Sequence, residues 1–211
     1  MRRFLLAAVL AGLVTGLTAG PAMASAPVHS RSSYASIEAF WHSKVRLSAT
    51  RFKLITWYVG VYPSSNGTFS DLYKEVDKCH MVSGHRRCAV ESYSSGFRKS
   101  LTANQFTYDS KRLATAHIDA AYKLRTFTKE GVSGHAFRVT IVANWTGTGK
   151  LSRDGGTSTY HSGCLGFHYT FKDRNRSATA TGAINGKSLG STNDAFLSVG
   201  TSLSVQHDCR S

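Results

Sequence analysis

From Leu113 to Arg125 the chain alternates strictly, with Ala114, Ala116, Ile118, Ala120, Tyr122 and Leu124 in one set of positions and Thr115, His117, Asp119, Lys123 and Arg125 in the other. Successive side chains of an extended strand point to opposite faces, so a period of two predicts a β-strand with one buried face. His135 to Thr146 repeats the pattern with Phe137, Val139, Ile141, Ala143 and Trp145 inward, and Gly147-Thr148-Gly149 breaks it. The stretch from there to Tyr160 reads as a loop. Arg51 to Tyr62 carries β-branched and aromatic residues on both faces, which predicts a central strand covered on both sides. Tyr160 to Lys172 sets Leu165, Phe167, Tyr169 and Phe171 on one side, and Asp173-Arg174-Asn175 predicts a turn into a strand over Ser177 to Ile184. Asn185-Gly186 is a strong hairpin signal, and Phe196 to Val205 alternates Leu197, Val199, Leu203 and Val205. Only Tyr34 to Trp41, with Ile37, Phe40 and Trp41 at helical spacing, predicts a short helix.

Eight or nine short strands separated by turns predict an all-β fold, an antiparallel β-sandwich first and a closed β-barrel as the alternative. The expected organisation is a signal peptide over 1–24, an arm with the short helix over 25–50, and a single β domain over 51–211. The signal peptide rests on Arg2 and Arg3, the apolar stretch Phe4 to Leu17, and the small residues of Ala22-Met23-Ala24. Cleavage after Ala24 or after Ala26 satisfies a signal peptidase. The apolar stretch is shorter than the roughly 20 residues a spanning helix needs, so no membrane insertion is expected, and the exported chain is expected as a freely released monomer.

Export puts the four cysteines in an oxidising compartment, where Cys79, Cys88, Cys164 and Cys209 predict two disulfides. A two-residue turn at Ser83-Gly84 sets position 79 opposite 88, on a non-hydrogen-bonded pair where side chains lie closest. Cys164 and Cys209 then pair, closing a loop that a chain-entropy estimate values at about 4 kcal/mol. Either a bulge at Gly163 or Gly166 brings their faces into register, or the bridge ties the carboxyl tail to the sheet beyond its strand. Zinc-ligand spacing is missing from these cysteines, so no metal is expected.

The chain has 26 Lys and Arg against 12 Asp and Glu, a formal charge of +14 that falls to +12 when Arg2 and Arg3 leave with the signal. Such an excess favours polyanions through long-range attraction, although here it is spread along the chain and not gathered into a dense run. The basic segments expected at hairpin tips are His85-Arg86-Arg87 and the one holding Lys172, Arg174 and Arg176, and these are the candidate binding residues. Nucleophile elbows, phosphate-cradling loops and zinc-protease motifs do not occur. The acid/base candidates are His117 and Asp119, two apart on one polar strand face.

The segments Leu113-Ala114-Thr115-Ala116, Asn144-Trp145-Thr146-Gly147-Thr148-Gly149 and Arg176-Ser177-Ala178-Thr179-Ala180-Thr181-Gly182 resemble those of uncharacterised secreted β proteins of high-GC Gram-positive bacteria. The resemblance implies a bacterial, extracellular origin and names no activity or cofactor. The expected function is a non-catalytic extracellular module whose basic surface meets an anionic envelope polymer or polysaccharide. The alternatives are a secreted hydrolase using His117 and Asp119, and a purely structural secreted protein.

Overall fold

Side chains alternate in and out along nearly every element of the computed structural model, which describes residues 28–98, 100–162 and 165–207. The elements are β1 (Val28–Arg46), β2 (Arg51–Ser64), β3 (Gly67–Val82), β4 (His85–Arg98), β5 (Phe106–Tyr108), β6 (Thr115–Thr128), β7 (Gly131–Gly147), β8 (Ser152–Ser162), β9 (Leu165–Ile184) and β10 (Lys187–His207). All pairings are antiparallel, so the all-β antiparallel class expected from the alternation is the class observed. The expected signal peptide, Cys164 and Cys209 lie outside the described residues.

Neighbours in the sheet run β10, β1, β2, β3, β4, β6, β7, β9, β8, and β9 also pairs with β10, so the hydrogen-bonded ladder returns to its start. Inside this circuit sit Ile37 of β1, Val59 and Val61 of β2, Leu72 of β3, Ile118 and Leu124 of β6, Ile141 and Trp145 of β7, and Leu197 of β10, each at most 1% exposed. Strong apolar burial of this kind is the main favourable term in folding. Leu101, Phe106 and Leu113, from the segment between β4 and β6, fill one end of the core.

β1 replaces the helix expected over Tyr34 to Trp41. The buried apolar residues are Ala35, Ile37, Ala39 and Trp41, a period of two, whereas the helical reading needed Phe40 and Trp41 on one face. A second difference is at Asp173-Arg174-Asn175, where β9 runs straight through the expected turn. These residues are held from both sides, Asp173 opposite Gly200 of β10 and Asp154 of β8. The loop expected before Tyr160 is largely β8, a strand mostly of Ser, Thr, Gly and charged residues without an apolar face. Such a strand is invisible to an alternation test.

Both expected hairpin turns have the backbone their residues favour. Ser83 and Gly84 have φ of 50° and 78°, Asn185 and Gly186 have 49° and 76°, and two consecutive positive values define the turn that matches strand twist. Cys79 and Cys88 are therefore opposite one another, with Cα atoms 4.1 Å apart, and form a disulfide.

Candidate functional site

Beyond the Ala35–Val199 row, β1, β10, β9 and β8 continue as a four-stranded platform. Register assigns its two faces. One carries the rows Ala35–Val199–Arg174–Arg153, Ser33–Thr201–Lys172–Gly155, Arg31–Leu203–Thr170–Thr157 and His29–Val205–His168–Thr159. Ala35 and Val199 are buried with the core, so this face is continuous with the inside of the circuit. It holds Arg31, Arg153, Lys172 and Arg174 and no carboxylate.

At the base of this face lies a cleft of about 570 Å³, reached by Arg153, Lys172, Arg174 and Thr201 and bounded by Pro63 to Ser65 and by Tyr108 and Ser110. Asp154 and Asp173 also line the cleft, and each is already engaged. Asp173 accepts a hydrogen bond from the Tyr34 hydroxyl at 2.5 Å, and Asp154 accepts from the Gly155 amide at 2.8 Å. Register turns both toward the opposite face. The ion pairs among the described residues are His42–Asp194, Lys53–Glu91 and Lys78–Glu91, so neither aspartate is ion-paired to Arg153, Lys172 or Arg174.

The cationic side chains divide by task. Arg174 donates through Nη1 to the Lys111 carbonyl at 2.9 Å and through Nη2 to the Ser110 carbonyl at 3.0 Å, and Arg176 donates through Nη1 to the Arg112 carbonyl at 3.2 Å. A guanidinium offers five N–H groups in a fixed fork, so these two chains pin the segment that walls the cleft. Lys172 and Arg153 are exposed and take part in no such bond among the described residues. Theirs are the charges a ligand would meet.

The remaining sequence candidates lie elsewhere. His85, Arg86 and Arg87 are exposed beside the β3–β4 turn, whereas the cleft borders the β2–β3 turn, so the 16 residues of β3 separate the two basic regions. His117 and Asp119 project from the outside of β6, since Ala116, Ile118 and Ala120 face the core. The His117 Nδ1 pairs with Asn144 Oδ1 at 2.7 Å, Asp119 is exposed, and neither lines the cleft. Arg153 escaped sequence reasoning because β8 carried no strand signal.

A second polar cluster, also not anticipated, lies on the outside of β2. The hydroxyls of Tyr58 and Tyr62 hydrogen-bond to each other over Gly60, and Asp71 Oδ1 converges on the same point, which a Cβ at Gly60 would occupy. Glu38 and Asp71 flank Gly60 from β1 and β3. Burial first, and the nearby Glu38 charge second, push the Asp71 carboxyl up to about 6, while the amides of Asp71 and Gly60 pull it down. Burial, followed by the Asp71 and Glu38 charges, likewise holds the Tyr58 hydroxyl well above its ordinary value. Glu38 is 5% exposed, so these carboxylates are roofed by side chains and not presented to a substrate.

An acid held above its ordinary value binds its proton more tightly folded than unfolded. Its stabilisation is therefore fully present below about pH 4 and is lost as pH rises through about 6. Asp71→Asn removes the cost of ionisation. The variant is expected to exceed the parent in unfolding free energy by about 2 kcal/mol at pH 7.5 and to match it at pH 4, measured by urea denaturation at both values. A loss of stability at both would contradict this assignment.

The fold and site define an all-β protein with a cationic cleft where its closed ladder opens onto a platform. No protein family, curated protein or solved structure matches the chain.

Proposed function

We propose that the chain is a non-catalytic extracellular binding protein whose cleft takes an anionic envelope polymer. The observation that carries this reading is the platform face of four cationic side chains without a carboxylate, leading into a cleft that Lys172 and Arg153 enter unpaired. A surface of one sign bordering a cleft concentrates polyanions, and the low-dielectric walls strengthen each contact. Arg174 and Arg176 serve as the frame, because their donors hold the wall. The disulfide supports an oxidising compartment, and no helix among the described residues is long and apolar enough to cross a membrane. The hydrolase alternative loses support from His117, which is oriented by Asn144 and not by a carboxylate.

A basic protein adheres to any anionic matrix, so the informative test compares two variants of equal charge. Arg153→Ala with Lys172→Ala is expected to weaken binding to a soluble sulfated polysaccharide about tenfold or more, by titration calorimetry at moderate salt. Arg86→Ala with Arg87→Ala, at the far hairpin, is expected to change it less than threefold. Equal losses in the two pairs would remove the cleft reading and leave diffuse charge.

A further inference from the structure

The other face of the platform has the opposite chemistry. Its rows are Val28–Gln206–Phe167–Tyr160, Ser30–Ser204–Tyr169–Ser158, Ser32–Ser202–Phe171–Gly156 and Tyr34–Gly200–Asp173–Asp154. The first three rows contain no ionisable group apart from tyrosine, and they set aromatic rings in line on a floor of serine hydroxyls. Tyr160 is 62% exposed, Tyr169 39% and Phe167 36%.

Two of the rings are seated by glycine. A Cβ at Gly156 would meet Phe171 Cε1 at 2.8 Å, and one at Gly200 would meet Tyr34 Cζ at 2.5 Å, so each ring leans over its cross-strand partner. With Tyr169 and Phe171 centroids 6.1 Å apart along one strand, the rings form a linear, repeating track.

We infer that this face binds a neutral polysaccharide, by stacking sugar rings on the track formed by Tyr160, Phe167, Tyr169 and Phe171. An aromatic ring is negative over its face, and the C–H face of a sugar is the neutral partner that matches it. The serines select against other occupants. Ser32 and Ser202 hydrogen-bond to each other at 2.6 Å, but Ser30, Ser158 and Ser204 make no side-chain hydrogen bond among the described residues. A lipid or an apolar protein surface would therefore bury three hydroxyls without partners, which is costly, whereas sugar hydroxyls satisfy them at the edges of each ring. A polyanion finds no cation in these three rows. A linear polymer also suits a track that follows a strand, where residues two apart repeat on the same face.

This inference does not depend on the cationic cleft. The test is affinity electrophoresis of the full protein in gels containing hydroxyethylcellulose, mannan or dextran, all uncharged. Retardation is expected with at least one, undiminished by 0.5 M salt and by Lys172→Ala. Tyr169→Ala is expected to lose about tenfold in affinity, and Tyr160→Phe, which keeps the ring, to stay within twofold of the parent. Thermal melts of these exposed-site variants check that the fold is intact. Failure of all three polymers to retard the parent, or full retention of binding by Tyr169→Ala, would overturn the inference. So would a parent dimer that Tyr160→Ala and Tyr169→Ala convert to monomer in sedimentation, because the face would then be a self-association surface.

Discussion

Trp145→Ala is expected to lower the unfolding free energy by about 4 kcal/mol, the largest effect of any single change in the core. Trp145 is 1% exposed on β7, and its indole N–H donates to the Glu38 carbonyl of β1 at 2.9 Å, so it joins two strands that are not neighbours in the ladder. Truncation therefore removes a large apolar volume and a buried hydrogen bond at once. Against a total of about 5–15 kcal/mol for a domain of this kind, the loss is a quarter or more of the stability. Guanidinium titration should show a large fall in midpoint at unchanged slope, and Trp145→Phe should recover part of it. A midpoint within 0.3 M of the parent, an order-of-magnitude bound from ordinary denaturant slopes, would mean that the core does not rest on this residue.

Gly147→Ala is expected to cost about 3 kcal/mol for a single added methyl group. The new Cβ would lie 2.2 Å from the Leu113 carbonyl oxygen and 2.8 Å from Arg176 Cδ. Neither neighbour can retreat easily. The Gly147 amide donates to the Ala114 carbonyl at 2.7 Å, Leu113 holds a φ of 51° with its side chain in the core, and Arg176 is bonded to Arg112. A clash with backbone is not relieved by a rotamer change, so either strand β7 or the segment that walls the cleft must shift. Gly84→Ala is the comparison: φ there is 78° but the site is open, and only the backbone penalty of about 1 kcal/mol applies. Similar melting losses for the two variants would contradict the packing described around Gly147.

The strands legible in the sequence are those with one wet and one buried face. In β6 the residues Ala116, Ile118, Ala120, Tyr122 and Leu124 are all buried, as their alternation requires. The Ser83-Gly84 and Asn185-Gly186 turns were legible because their residues tolerate positive φ, and the first of them fixes the Cys79–Cys88 bridge. On β1, alanines at 35 and 39 carry half of the buried face, and Phe40 next to Trp41 imitates a helical stripe. On β8 nothing is buried deeply enough to leave a pattern, and with β8 hidden neither face of the platform could be assembled. Phe167 and Tyr169 alternate as a core strand would, yet they are more than one third exposed, because periodicity reports which side chains share a face and not what covers it. The pairing of β10 with β1, which completes the circuit, joins residues more than 150 positions apart, and no local pattern encodes it.

Segment 172–176 shows how residue chemistry and place combine. Lys172, Arg174 and Arg176 stood out in the sequence as a basic hairpin tip, but they alternate along the middle of a strand, on one face. Position then decides their roles: Arg174 and Arg176 face carbonyls and become structural, while Lys172, beside Arg153, faces the open cleft.

Amide chemical-shift mapping during titration with the sulfated polysaccharide tests the cleft most directly. Shifts clustered at Arg153, Lys172, Thr201 and Ser33, and fading as salt is raised, are the predicted result. Shifts centred on His85 to Arg87, or spread evenly over exposed lysines and arginines, would contradict it.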